Sequence, residues 1–240
     1  LMWVGCAGSF DSRNQKIARA SATLYQKAGV KFAILGSEEK CTGDLARRSG
    51  NEMLFQMLAG ENVETMNNYK IKKIVTACPH CLNSIKNEYP QLGGEYEVFH
   101  HSQFIAKLVD EGRLPVKSNL KDTITYHDPC YLGRYNREYE APRNLLKHAA
   151  DEPMREMKRH GSESFCCGGG GARMWMEETI GTRINENRTE EAISTGASTV
   201  ATGCPFCMTM LSDGITAKGK SESMQVKDVA ELVLEAVEAV

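Results

Sequence analysis

The chain has 240 residues, 41% of them hydrophobic and 25% charged, with a formal net charge of −2. That length accommodates one large or two medium domains, and the near-neutral balance gives no reason to expect a nucleic acid or an anionic membrane surface as partner. No run approaches the roughly 18 to 20 apolar residues that a membrane helix needs, and no basic-then-apolar signal segment opens the chain.

Leu1 runs straight into Trp3-Val4-Gly5-Cys6, and we expect this start to lie within a longer polypeptide. Met2 to Val4 is a short apolar lead-in, Asn14 to Lys27 is predicted helical, and Val30 to Leu35 is predicted as a buried strand closed by Gly36. Cys41 falls in a loop. Asp44 is the expected N-cap of a helix through Leu45, Met53, Leu54, Met57 and Leu58 that Gly60 stops. Ile71 to Thr76 has the pattern of a parallel strand, and Cys78-Pro79-His80-Cys81 follows at its carboxyl end. Pro79 suits a first helical turn, where its missing N–H is not needed. His100 and His101 are expected to end a strand and cap the helix that runs to Glu111.

The second half repeats this order: a strand over Thr123 to Tyr126, Cys130, a helix near Arg143 to His148, a loop with Cys166 and Cys167, and a long helix over Trp175 to Ser194. Ala197 to Ala201 is the next strand, and Cys204-Pro205-Phe206-Cys207 opens the next helix. Such alternation predicts an α/β fold of two pseudo-symmetric repeats, each a small, mainly parallel sheet flanked by helices. In sheets of this kind ligands sit beyond the strand carboxyl ends, where the cysteines fall. The boundary is expected near Pro115 to Lys121, giving a first repeat of residues 1–118 and a second of 119–240.

The nine cysteines carry the chemistry. Cys41, Cys78 and Cys81 recur as Cys167, Cys204 and Cys207 at an offset of 126 residues, and Cys6 recurs as Cys130 at an offset of 124. Cys166 has no counterpart, because the matching position is Lys40. A disulfide framework fits an odd count and two C-x-x-C pairs badly in a signal-less chain of this size. Structural zinc takes four ligands, usually from two close pairs, whereas one half-site spreads from Cys6 to Cys81 and the other holds five cysteines. A zinc-stabilised interaction domain stays open as the alternative of another class.

Cys204 and Cys207 lie at a helix start, where free N–H groups and the positive dipole end favour the thiolates that bind soft metals. Cys166 and Cys167 are adjacent, so on extended backbone their side chains are expected to diverge, toward two neighbouring irons rather than one ion. Gly168, Gly169, Gly170 and Gly171 then let backbone approach an inorganic core and aim N–H groups at it. On composition alone four glycines are a linker; attached to the cysteine pair they form a cradle.

His127-Asp128-Pro129-Cys130, Cys166-Cys167 with the four glycines, and Cys204-Pro205-Phe206-Cys207 resemble the cysteine-rich CCG domain of the heterodisulfide reductase family, present in tandem over essentially the whole chain. The stretch Lys40 to Arg48 is most similar to the family's membrane-bound iron-sulfur reductases, which pass electrons from electron-transfer flavoprotein to menaquinone. In that group a membrane-embedded domain and a ferredoxin-like domain precede the tandem pair, which implies a place at the cytoplasmic face of a membrane. The resemblance implies a noncubane 4Fe-4S cluster on Cys130, Cys166, Cys167, Cys204 and Cys207. The first motif departs from the pattern: Cys6, Cys41, Cys78 and Cys81 leave open an ordinary four-thiolate cluster or a vestigial site, with the Lys40 cation at the fifth position.

Heterodisulfide reductase splits its disulfide between two noncubane clusters. One complete site therefore implies single-electron relay from a flavoprotein toward quinone, which needs no catalytic acid, base or nucleophile; an iron-sulfur component linked to a disulfide or a hydroxy acid is the runner-up. The cluster potential would then be set by hydrogen bonds, burial and charges such as Arg134 and Arg173. His127 is expected to be a hydrogen-bonding residue at a strand end rather than a ligand, and His80 to face solvent. Met53, Met57, Met66, Met174 and Met176 are expected to fill the core, and Trp175 to pack beside the glycine loop.

Overall fold

The computed structural model describes residues 1–238. Its strands form two three-stranded sheets, each wholly parallel. The first orders β1 (Met2–Trp3), β2 (Lys73–Thr76) and β3 (Glu97–His100). The second orders β4 (Ile124–His127), β5 (Thr199–Thr202) and β6 (Gln225–Asp228) in the same sequence. The sheets and their flanking helices are the α/β arrangement of two repeats that the alternating pattern calls for.

In the first half the helices are α1 (Gly5–Phe10), α2 (Asn14–Lys27), α3 (Asp44–Arg48), α4 (Glu52–Asn68), α5 (Pro79–Asn83) and α6 (His101–Asp110). The second half adds α7 (Glu140–Ala149), α8 (Ile184–Ser194), α9 (Pro205–Ala217) and α10 (Val229–Glu238). Pro79 and Pro205 occupy first-turn positions. His100 caps α6: its ring accepts from the Ser102 N–H while Gln103 accepts from the His100 N–H, a reciprocal capping box. Among the described residues no helix is long and apolar enough to cross a membrane.

Four of these helices form a layer common to both halves. Leu24 and Tyr25 of α2, Ile105 and Leu108 of α6, Leu145 and Leu146 of α7 and Val229, Leu232, Val233 of α10 pack into one core with Val75 of the first sheet and Ile124, Tyr126 and Ala201 of the second. Polar contacts tie the halves further. Arg13 grips Glu231 with two bonds of 2.8 and 2.7 Å, and His101 meets Asp228 at 2.8 Å with both side chains fully buried.

Several local expectations need correction. Val30 to Leu35 is not a buried strand: its link to β1 is a single bond from the Met2 N–H to the Ala33 carbonyl, and Lys31, Ala33 and Ile34 are exposed. The segment lies outside the β1 edge, with one face on α2 and the other in solvent. The helix expected from Asp44 is two helices, broken at Gly50, with Gly43 and Asn51 at the caps; Asn51 accepts from the Leu54 N–H. Gly60 lies inside α4, where its cost of about 1 kcal/mol is offset by burial of Phe55, Ala59, Val63 and Met66. That buried stripe leaves Met53 and Met57 on the opposite, exposed face; Met176 is exposed too, and only Met66 of the five methionines is fully buried. Helix α8 starts at Ile184 rather than Trp175, because residues 175–183 offer little to bury: Trp175, Met176 and Ile180 are exposed. Trp175 is exposed and sets its ring edge-on to Phe206, with ring centroids 6.2 Å apart. Strand β6 and helix α10 lie beyond the predicted elements.

Candidate metal centre

Every cysteine lies at the strand carboxyl ends or in the loops that fold back over them. Cys78 and Cys204 each fall two residues beyond a central strand, and Cys6 and Cys130 three residues beyond a first strand. All nine thiols are free.

In the second half the five thiols form a chain of contacts. Cys130 meets Cys166, Cys166 meets Cys167, Cys167 meets Cys207 with the sulfurs 3.3 Å apart, and Cys207 meets Cys204. The adjacent Cys166 and Cys167 thus do not diverge as expected. The loop is folded, so they stay in contact while each faces a different neighbour.

Asp128 anchors that loop. It holds the Gly161 N–H at 2.8 Å through a carboxylate oxygen, its backbone carbonyl accepts from Ser164 Oγ at 3.2 Å, and Arg143 grips the carboxylate with bonds of 2.6 and 2.8 Å. Arg134 donates to the Ser164 carbonyl, just ahead of the cysteine pair. Arg173 is instead half exposed, near Glu178.

The sulfur contacts divide the protons unevenly. Hydrogen bonds from Cys130 and Cys167, with the Gly168 N–H at 3.2 Å, pull the Cys166 thiol down to about 2 against its burial. Burial opposes ionisation of Cys204, yet bonds with Cys207 and His80 bring it down to about 5. Hydrogen bonding to Cys166 pushes Cys130 and Cys167 up, and hydrogen bonding to Cys167 and Cys204 pushes Cys207 up. Five thiolates this close repel one another unless a cation accompanies them.

The surroundings fit a bulky, sulfur-bound group. A Cβ built on Gly169 would stand 3.1 Å from Met210 Cγ and 3.7 Å from Cys167 Sγ, so the missing side chain keeps the backbone against the sulfurs. His127, expected at a strand end, ends β4 and is fully buried; a ring nitrogen lies within 4.8 Å of both Cys167 Sγ and Cys207 Sγ. Burial and the neighbouring Arg188 push its pKa down to about 3, so the ring is neutral.

In the first half Cys6, Cys41, Cys78 and Cys81 line one cavity, together with His80 and Phe206. Cys6 bonds Cys41, lowering the latter to about 6, and Cys78 bonds Cys81, which also receives Thr42 Oγ1 at 3.8 Å. Gly5, at φ +77°, supplies the left-handed turn that brings its backbone against Cys81, with a Cβ position 3.5 Å from the sulfur. Lys40 has an exposed side chain, and its backbone is pinned by Asn62, which accepts from the Lys40 N–H at 3.0 Å and donates to the Cys41 carbonyl at 3.1 Å.

His80 corrects a further expectation. It is buried, stacked on Tyr131 at 4.3 Å, bonded to Asp44 at 2.7 Å and in contact with Cys204 of the other half. Burial would lower its pKa, but the bonds to Asp44 and Cys204 raise it to about 10. The register already held the signal, since the residue 126 positions on is the buried Phe206.

Two further positioning residues were missed. Arg188 and Asn62 are both fully buried, 126 residues apart, on the helices preceding the central strands. Each pins a site loop: Asn62 holds the Cys41 loop, and Arg188 donates to His127 Nδ1 at 3.0 Å, the Arg159 carbonyl at 2.9 Å and Glu191 at 2.9 Å.

A family model for a cysteine-rich domain, CCG, matches residues 1–86 and 124–212. The chain is 49% identical over 237 residues to a probable iron-sulfur-binding oxidoreductase, FadF, of Bacillus subtilis, and 46% identical over 245 residues to the EtfAB:quinone oxidoreductase of Syntrophomonas wolfei. Each alignment covers 99% of this chain and 34% of the relative, so the chain spans about a third of the length of these proteins. It is also 36% identical over 244 residues to one of the polypeptides of the dihydromethanophenazine:CoB–CoM heterodisulfide reductase of Methanosarcina barkeri, covering 99% of this chain and 58% of that polypeptide.

Proposed function

The chain belongs to the CCG cysteine-rich domain family, and from that premise we propose that it is an iron-sulfur electron-transfer module of an oxidoreductase, with a noncubane 4Fe-4S cluster held by Cys130, Cys166, Cys167, Cys204 and Cys207. The observation that carries this reading is the unbroken contact of five thiols from three separate segments beside a glycine-lined loop. Bound there, such a cluster supplies one-electron redox chemistry, with a potential governed by hydrogen bonds to its sulfurs and by burial. The residues of the chain supply the rest: Asp128 and Arg143 hold the Cys166 loop, Gly168 and Gly169 let backbone close on the sulfurs, and buried apolar side chains exclude water. No side chain is assigned as acid, base or nucleophile.

We take the chain as two repeats, residues 1–118 and 119–240, supported by the two sheets and the split family match. The four first-repeat cysteines form a second candidate iron-sulfur site, supported by their common cavity. The relative named EtfAB:quinone oxidoreductase supports electron-transfer flavoprotein as donor and a quinone as eventual acceptor. Membrane and ferredoxin-like segments would lie outside this chain, and the relative described as a probable membrane-anchored ferredoxin, from Chromohalobacter salexigens, supports a place at a membrane, which we take to be its cytoplasmic face.

Anaerobic purification tests the reading. Broad absorbance near ~400 nm, as iron-sulfur thiolates give, and iron that falls by about four per chain in Cys167→Ala are the expected results. Stoichiometric zinc in a colourless protein would overturn it. Cys41→Ala reports on the first repeat separately: iron lost there while the second-repeat cluster persists marks a filled four-thiolate site, and iron unchanged from the parent marks a vestigial one.

A further inference from the structure

His127 is 1% exposed, yet its Nε2 has no partner among the described residues, although the other ring nitrogen does. An unpaired polar atom at this depth costs about 1–3 kcal/mol and calls for an explanation. Arg188 supplies part of it. A guanidinium has only donors, so the 3.0 Å bond from Arg188 Nε requires His127 Nδ1 to be the acceptor. In a neutral imidazole the proton then sits on Nε2, the nitrogen left unpartnered, in a ring of which one nitrogen lies within 4.8 Å of both Cys167 Sγ and Cys207 Sγ. Arg188 is itself fixed by the Arg159 carbonyl and Glu191, so the tautomer is locked from behind.

We infer that His127 is a positioning residue of the second repeat that donates its Nε2–H to the Cys167 and Cys207 sulfurs, rather than an iron ligand; the inference rests on the cluster proposed there. Coordination through Nε2 would require removing the proton that the Arg188 bond places on it. The first repeat offers a parallel. At the offset that relates Cys6 to Cys130, Trp3 stands where His127 does, at the end of its strand; it too is buried, and its Nε1–H is unpartnered. Indole nitrogen is a donor only. Both repeats therefore place a ring N–H, and no free lone pair, three residues before the first cysteine.

A donor to cluster sulfur favours the reduced state, in which the sulfurs carry more negative charge. The test uses the whole polypeptide that carries this chain, purified anaerobically, with Cys167→Ser identifying the electron paramagnetic resonance signal of the second repeat. His127→Phe removes the N–H in a position whose counterpart already accepts an aromatic ring, and His127→Gln retains an N–H donor. Iron content should stay at the wild-type level in both. The reduction equilibrium of the second-repeat signal should shift about tenfold toward the oxidised state in His127→Phe, or 59 mV for one electron, and His127→Gln should recover most of that shift. An unmoved potential in iron-replete His127→Phe overturns the inference, as does loss of the second-repeat iron in both variants, which would mark a ligand. A wild-type protein with no signal that Cys167→Ser abolishes overturns the cluster reading itself, a separate failure.

Discussion

The four glycines after Cys167 are not equivalent, and alanine substitution at each should separate them. Gly168 has φ +88°, and a Cβ there would lie 3.0 Å from Ile184 Cβ and 3.3 Å from the Asn185 nitrogen, atoms fixed to the start of α8. Left-handed backbone costs a non-glycine residue about 1–2 kcal/mol, and overpacking against anchored atoms adds about 1–3 kcal/mol. Gly168→Ala should therefore cost roughly 2–5 kcal/mol. Gly171, at φ +61° with open space around its Cβ position, carries only the backbone cost of about 1–2 kcal/mol. Gly169 must displace Met210 Cγ from 3.1 Å, within reach of a flexible side chain, and Gly170 has neither a positive φ nor a neighbour within 4 Å. Gly170→Ala should thus stay within about 0.5 kcal/mol of the parent. Thermal unfolding of the four variants reads the series, at about 2–4 °C per kcal/mol for a chain of this size, and iron content reads whether Cys166 and Cys167 keep their places. A Gly170→Ala variant as damaged as Gly168→Ala would refute the reasoning, because the run would then behave as a uniform linker.

Burial and the adjacent His101 hold the His100 pKa well below its ordinary value of 6.5, and the neutral ring is bonded to the carbonyls of Gly203 at 3.0 Å and Ala77 at 3.3 Å. Below pH 6.5 the unfolded chain takes up a proton that the folded chain refuses, so the stability that His100 gives is complete above that pH and lost as pH falls. Urea titrations should show His100→Gln removing up to about 1.4 kcal/mol per pH unit from the acid slope; an unchanged slope would contradict a buried neutral His100. Asp228→Ala strips His101 of its partner and the Ala230 N–H of its cap, and should cost about 3–5 kcal/mol in chemical denaturation; a loss under about 1 kcal/mol would exclude that pair as a tie between the halves. Asn62→Ala leaves the Lys40 N–H and the Cys41 carbonyl without a buried partner and should cost about 2–4 kcal/mol. Its effect on bound iron, measured in the same preparations, should fall on the first repeat alone.

The site was legible in the sequence to the extent that covalent spacing encodes it. Cysteines repeated at one offset must return to equivalent places if the fold repeats, and the break at Lys40 is visible without coordinates. The strands ahead of Cys78 and Cys204 were legible because a short apolar run ended by C-P-x-C leaves few alternatives. Tertiary choices were not. Val30 to Leu35 is apolar enough for a buried strand, but no neighbour covers its outer side. Met53 and Met57 share a helix with Phe55 and Ala59, and only packing decides which face turns inward. His80 reads as free in the sequence because nothing nearby offers it a partner; Asp44 and Cys204 reach it from 36 and 124 residues away. Arg188 and Asn62 were the most recoverable omissions, since buried polar residues at the same register could have been sought once the offset of 126 was known.

The helix layer common to both halves bears on how the two repeats could drift apart. A duplicated chain whose copies each kept a private core could discard one copy when its chemistry was no longer needed. Here α2 and α6 pack on α7 and α10, and His80 reaches across to Cys204. The copy with the incomplete cysteine set is thus structurally indispensable to the other. Substitutions such as Lys40 cost it little, whereas deletion would leave the complete site without one of its walls.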